Sequence, residues 1–284
     1  MSNNKNIEYQ TIYSSQLYIS SSDADIYMNG IYMKSSCVFF FEELLKLTKS
    51  AIEMRVSVVN AQFPYSFYNI NEFNNYINVN GHDYYFDYGN YNVNSFITMW
   101  KTTITNITGS WTVSYNNITN KLLFSTQNAF TFTDNNKKNS IFTMLGFLPN
   151  ITMSSFTNGS IQSLMSVTVV NFCGPMRLNI KTSSFNISNN YDTSEKGRTM
   201  TLASVPVNAP AGGIISYNNF TQFKSIFKNH EISTLQIDIE DENNNPIIFD
   251  NKDWTITLQI DIVNEVIHTL DNLDDVYKNQ TQEN

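Results

Sequence analysis

Leu235–Gln236–Ile237–Asp238–Ile239 and Trp254–Thr255–Ile256–Thr257–Leu258–Gln259–Ile260–Asp261–Ile262 decide the fold class. In both stretches apolar and polar side chains alternate. Successive side chains of a strand point to opposite faces, so this period of two predicts strands with one buried face and one wet face. A slip of one residue would turn Ile and Leu outward and Asp inward, so the register is strongly specified. Between them, Glu240–Asp241–Glu242–Asn243–Asn244–Asn245–Pro246 is turn chemistry, followed by the short apolar piece Ile247–Ile248–Phe249. The stretch is predicted to form two core strands of an antiparallel sheet joined by an acidic, Asn-rich loop.

Upstream, the same signals recur at short spacing. Cys37–Phe41 and the β-branched run Ala51–Ala61, which ends by Pro64, predict strands, with about one helical turn at Glu42–Leu47 between them. Asn80–Gly81 between Tyr76–Val79 and Asp83–Phe86 is a hairpin signal. Val93, Phe96, Ile97, Trp100 and Ile104 share one face of an amphipathic helix that Asn92 or Asn94 caps. A second hairpin is predicted over Trp111–Tyr115 and Lys121–Thr126, and a short helix over Ser140–Leu145, closed by Gly146 and Pro149. Strands resume at Leu164–Val170, Met176–Thr182, Thr199–Val207 and Ile214–Tyr217, with an exposed loop over Ser183–Gly197. Roughly ten short strands around one helix predict an all-β, antiparallel jelly-roll sandwich with one inserted amphipathic helix. The predicted layout is an extended N-terminal arm over 1–34, a single jelly-roll domain over 35–263, and an acidic polar C-terminal tail over 264–284. The arm, with Tyr9, Ile12, Tyr13 and Tyr18, is expected to order against another subunit.

Composition narrows the chemistry. A net charge of −8 repels phosphate backbones, so no direct nucleic-acid contact is expected. No apolar run approaches the roughly 20 residues of a transmembrane helix, and the polar, aromatic first twenty residues are not read as a secretory leader. Cys37 and Cys173 lie beside apolar segments and are expected as buried, reduced thiols. His82, His230 and His268 stand far apart, without a second ligand at metal spacing. Asp241, Asn243 and Asn245 imitate the start of an EF-hand loop, but Pro246 replaces its glycine and Lys252 its glutamate. Asp250 and Asp253 read as turn caps, and Gly212–Gly213 as a turn without the lysine and helix of a phosphate loop. No catalytic, cofactor-binding or metal-ligating residue is predicted, and no cofactor. An aromatic-rich β body of low charge suits an assembly subunit better than an enzyme.

Four stretches then carry a resemblance. They are Ser36–Phe41 leading through Val56–Pro64 to Ser66–Asn71, Gly89–Asn90–Tyr91 running into the helix with Phe96 and Trp100, Leu145–Gly146–Phe147, and Leu235–Glu242 followed by Pro246–Ile247 and Asp253–Leu258. In this order and spacing the sequence resembles the penton and minor capsid proteins of virophages, Polinton-like viruses and related giant DNA viruses. The resemblance implies a structural capsid protein of the virion, a single jelly roll forming homopentamers at icosahedral fivefold vertices and contacting the major capsid protein and other minor capsid proteins. Assembly would take place in the host cytoplasm or a viral factory. The alternatives are another minor capsid or cement protein, or an attachment β-sandwich that binds a host receptor or glycan through Tyr84–Tyr85–Phe86–Asp87–Tyr88. A hydrolase on the same scaffold is a third, which would need convergent acids or a metal.

Overall fold

The computed structural model describes residues 6–46, 51–105, 110–184, 191–192, 197–221, 223–227 and 231–268. In chain order the strands are β1 (Asn6–Ser20), β2 (Ile26–Tyr27), β3 (Ser36–Lys46), β4 (Ala51–Pro64), β5 (Tyr76–Val79) and β6 (His82–Tyr85). Helix α1 (Val93–Thr103) follows, then β7 (Thr112–Asn116), β8 (Lys121–Thr126), β9 (Thr131–Thr133), β10 (Met153–Ser154), β11 (Phe156–Asn158) and β12 (Ile161–Met165). The chain continues with β13 (Arg177–Lys181), β14 (Tyr191–Asp192), β15 (Gly197–Arg198), β16 (Thr201–Pro206), β17 (Ile214–Asn218), β18 (Ser225–Phe227), β19 (Glu231–Glu240) and β20 (Thr255–His268). The chain forms two compact units, where a single domain over 35–263 is expected. One joins Met1–Ser66 with Arg177–Asn284, and the other is Phe67–Met176.

The first unit is the jelly roll. One sheet runs β1-β20-β4-β17, with β18 also on β4, and the other runs β16-β13-β19-β3-β2. Of the eight principal strands β1, β3, β4, β13, β16, β17, β19 and β20, every step except β13 to β16 passes from one sheet to the other. That alternation in two sheets is jelly-roll topology. The second unit is inserted in sequence between β4 and β13.

This topology corrects the opening expectation. β19 and β20 are both strands with the predicted buried rows, but they lie in different sheets. Leu235, Ile237 and Ile239 are buried in one, and Ile256, Leu258 and Ile260 in the other. The physical reason is the connection. Ile247 and Phe249 are buried, Phe249 N donates to Met33 O at 3.0 Å and Asn251 N to Tyr32 O at 2.8 Å. The loop is thus pulled back along residues 32–33 instead of closing a hairpin. Phe249 stacks on Phe63 of β4 at 6.0 Å, with Trp254 6.2 Å from the same ring.

β4 shows how the pattern in the sequence becomes a core. Met54, Val56 and Val58 are buried, and so are Ala61 and Phe63, which fall one residue out of phase with them. A register shift on β20 between Thr257 and Leu258 leaves Val59 unpaired. This β-bulge resets the phase, so both halves of β4 face the core.

Two further expectations change. Glu42 to Lys46 continues β3 as strand, because Leu45 pairs with Ile232 and Lys46 with Glu231 of β19. Leu47 lies outside the described residues. Residues 6–20, expected as an extended arm that orders against another subunit, form β1 along β20 of the same chain from Asn6↔His268 to Ser20↔Thr255. The strand was hard to see because it buries little: Ile19 is buried, Leu17 half-buried, and Ile12, Tyr13 and Tyr18 exposed. Residues 264–268 still belong to β20, and the tail from 269 lies outside the described residues, as does most of the 183–197 loop.

In the second unit, β5 and β6 form the expected hairpin, with φ of +51° at Asn80 and +82° at Gly81. Positive φ at both positions is the type I′ turn that Asn-Gly supplies. Helix α1 begins as predicted. Asn92 Oδ1 accepts from Ser95 N at 3.0 Å and Ser95 Oγ from Asn92 N at 2.9 Å, a reciprocal capping box. Its buried Phe96 and Trp100 join Phe86, Trp111, Phe124 and Phe132 in a core of close aromatic contacts, such as Trp100 to Phe124 at 4.6 Å. Two sheets surround that core, β10-β9-β5-β6 and β11-β12-β8-β7. The expected 140–145 helix is a single turn, closed by the Phe147 N to Phe142 O bond at 2.8 Å around left-handed Gly146. The strand expected through Val170 ends at Met165, because Val167 N and Thr168 N turn away to bond Gly146 O.

Candidate assembly surface

The residues that carry the sequence resemblance turn out to hold loops in place. Asn69 is 5% exposed, and its amide saturates the surrounding backbone. Nδ2 donates to Tyr91 O and Phe172 O, both at 2.7 Å, while Oδ1 accepts from Tyr91 N at 2.9 Å. Asn90 returns the favour by accepting from Asn69 N at 3.0 Å. The motifs around residues 66–71 and 89–91 are therefore two halves of one clasp. Asn69→Ala removes the side-chain partner of two half-buried carbonyls and one amide, at about 1–3 kcal/mol for the first unpaired group. Chemical denaturation should show a loss of about 3 kcal/mol, with unchanged spectra in the native baseline.

A second clasp pins the start of β20. Lys34 is nearly buried, adopts φ of +51° and pairs with Asp253 at 2.6 Å. Ser21 Oγ donates to Asp253 Oδ1 at 3.0 Å, and Trp254 N donates to Ser21 Oγ at 3.0 Å. Trp254 Nε1 donates to Lys34 O at 2.6 Å. The Lys34 ammonium, helped by Ser21, holds the Asp253 carboxyl below its usual range against the effect of burial. Asp253, expected as a turn cap, is thus an ion-pair partner as well.

A third network lies under β1. Asp261 is on the outer face of its sheet, yet only 1% exposed. Lys224 pairs with it at 2.5 Å, Ser14 Oγ of β1 donates to it at 2.6 Å and Gln259 Nε2 at 2.9 Å. Burial pushes its carboxyl up, but these three donors and the Lys224 charge outweigh burial and leave it lowered. A carboxyl lowered in the folded state stabilises above its unfolded pKa near ~4 and loses that contribution as pH falls through the folded value. The melting temperature should therefore drop as pH falls below roughly 4, and Asp261→Asn should flatten that part of the profile.

In the second unit Asp83 collects Tyr76 OH and Asn78 Nδ2 at 2.7 Å each and the Lys137 ammonium at 2.9 Å. These donors, Asn78 first, bring its carboxyl down to about 2. Lys137 also sits 3.9 Å above the Tyr76 ring. Lys137 also donates to Tyr85 OH at 3.0 Å, so the cluster ties β5 and β6 to the 134–137 turn.

Other candidates separate in the same way. Asp241 is closed on itself: Oδ1 accepts from Asn243 N at 2.7 Å and Asn245 N at 2.8 Å, and Oδ2 from Asn245 Nδ2 at 2.9 Å. Its carboxylate organises a turn. Asp241→Ala should cost about 2 kcal/mol, the size of charge-assisted bonds lost, and millimolar calcium should leave the melting temperature of the parent chain unmoved. No group of three metal-ligating side chains occurs among the described residues. His82 is exposed and His230 lies outside the described residues. Gly212–Gly213 is the turn expected, with Gly213 N on Pro210 O at 2.9 Å. Cys37 is buried, and burial pushes its thiol up to about 12, which keeps it inert. Cys173 is exposed, contrary to expectation, because its segment follows the last strand of the second unit rather than entering a core. Of Tyr84–Tyr88, Tyr84 and Phe86 are buried and Tyr85 and Tyr88 half-exposed, so the strand alternation spends half of the expected platform on the core.

What remains is surface. In the first unit Tyr13, Tyr18, Met28, Ile31, Phe40 and Ile214 are all more than half exposed. In the second, Phe156, Ile161 and Met165 project from the outer face of β11 and β12, and Ile118, 93% exposed, tips the β7–β8 hairpin. Scattered apolar side chains are ordinary on a monomer, but clusters along sheet faces and edges mark interaction sites. The alternation Ile161–Ser163–Met165 was the one available signal for this outer face, and it is weak because Leu164 is the residue that packs inward. None of the described helices is long and apolar enough to cross a membrane.

No family model and no curated protein matches the chain. Among solved structures it is similar to the mavirus penton protein, at 10% identity and a TM-score of 0.45, over 88% of this chain and 99% of that one. It is also similar to a chain of the Sputnik virophage structure, at 12% identity and a TM-score of 0.43, over 88% and 98%.

Proposed function

We propose that this chain is a structural protein of a viral capsid, and specifically the penton subunit that forms homopentamers at fivefold vertices. The observation that carries the reading is a jelly-roll sandwich whose edges and loops display large apolar side chains, among them Met28, Ile31, Phe40 and Ile214. Such surface has to be covered, and covering it with identical copies is what an assembly subunit does. The four sequence stretches that resemble virophage-type penton and minor capsid proteins add the viral context. Five copies around an axis meet through two different patches, a heterologous contact that closes into a ring.

Mass photometry tests the reading. Five chains of 32.6 kDa give a species of about 163 kDa. A strict monomer, also when mixed with the major capsid protein, would overturn the proposal. A second reading, glycan attachment, is favoured by the half-exposed Tyr85 and Tyr88. Stacking on sugars there predicts that a glycan array gives specific micromolar hits that Tyr88→Ala abolishes. A blank array removes this reading.

A further inference from the structure

An edge strand presents a row of unpaired N–H and C=O groups that any extended chain can join, and natural sheets guard such rows with charge, proline, short length or a cap. Among the described residues, the other outermost strands of the sheets are guarded or short. On β3, β2 covers Cys37 and Val38, Asp25 Oδ2 accepts from Phe40 N at 2.7 Å, and Glu42, Glu43 and Lys46 follow. On β17, the Asn208 side chain accepts from Ser216 N at 3.4 Å and donates to Ser216 O at 3.0 Å. β16 ends at Pro206. β6, β7, β10 and β11 have five residues or fewer.

β1 is the exception. It has fifteen residues, pairs on one side only, with β20, and contains no Lys, Arg or Pro and a single charge, Glu8. Ile12, Tyr13 and Tyr18 stand exposed along it. Its one irregularity is the bulge at Ile12, where the register on β20 shifts between Thr11 and Tyr13, and the ladder is regular on both sides of it.

We infer that the outer edge of β1 is the docking site for an extended, uncharged segment of a different chain, which adds to the sheet as a new strand. The inference rests on the proposed pentameric capsid role, through symmetry. Two β1 edges of identical copies can pair with each other only about a twofold axis, and a fivefold ring has none. The other edges of a ring neighbour are capped or short. The ring therefore leaves β1 open, and the covering strand comes from a different protein of the shell. Main-chain bonds supply the affinity, and the side chains facing Ile12, Tyr13 and Tyr18 are β-branched or aromatic, with no charge to match.

Hydrogen exchange on the full chain, alone and mixed with the major capsid protein, tests this. In the isolated oligomer the outward amides of residues 6–20 exchange quickly while those facing β20 are protected. Adding the major capsid protein should slow the outward set about tenfold or more. Tyr13→Lys and Tyr18→Lys, both on exposed positions, should abolish that slowing and leave the oligomer mass unchanged. Outward amides already protected in the isolated oligomer overturn the docking site, and so do outward amides that stay open once the chain has joined the shell protein. A chain that never joins it overturns the capsid role as well.

Discussion

Gly146→Ala should unfold the second unit of this protein at temperatures where the parent chain is intact. Gly146 has φ of +76°, and a Cβ built on it would stand 2.4 Å from Thr168 O and 3.1 Å from Val169 O. Both are backbone atoms, so no side chain can swing away. The left-handed conformation alone costs an L-residue about 1–2 kcal/mol. Relief of the clash has to move Thr168, and that breaks the 2.9 Å bonds from Val167 N and Thr168 N to Gly146 O. Losing these two bonds adds about 0.5–1.5 kcal/mol each, so the total is about 3 kcal/mol. Differential scanning calorimetry would show a lower and less cooperative transition. Loss of less than about 1 kcal/mol would mean that residues 167–169 relax freely and that the turn does not hold the unit.

Trp254→Ala should be of similar size in the jelly roll. Trp254 is 1% exposed and its ring packs near Phe63. Truncating a buried tryptophan costs about 3–5 kcal/mol through lost burial and the cavity it leaves. It also removes the stronger of the two donors to Lys34 O, leaving it only the Cys37 thiol at 3.6 Å. Trp254→Phe restores most of the volume but not that bond, so it should recover all but roughly 1–2 kcal/mol. Urea denaturation of the two variants separates packing from the hydrogen bond. Equal losses in both would place the whole effect in the bond.

These residues show what the sequence made legible. Local signals survived intact where the physics is local: the Asn80–Gly81 turn, the Asn92–Ser95 cap, and the buried rows of β19 and β20. Sheet membership did not, because it depends on where a loop is held. Met33 O and Tyr32 O, which capture residues 249 and 251, lie more than two hundred residues away in sequence. β1 was illegible as a strand for a different reason. Its stability comes from the backbone ladder and from Ser14 on Asp261, and neither leaves a hydrophobic period. The sequence does not mark the division into two units, because the insertion brings its own aromatic core with strands of the same type. For the assembly surface the sequence offered composition alone: abundant aromatics and few charges, without saying which would be outside.

A symmetry-resolved electron cryo-microscopy reconstruction of purified particles tests the central claim most directly. The account predicts five copies around each icosahedral fivefold axis, each showing a jelly roll and the 67–176 unit, with an extra strand against β1 traced to a neighbouring shell protein. Particles in which this chain is missing, or sits away from the fivefold axes, would contradict it.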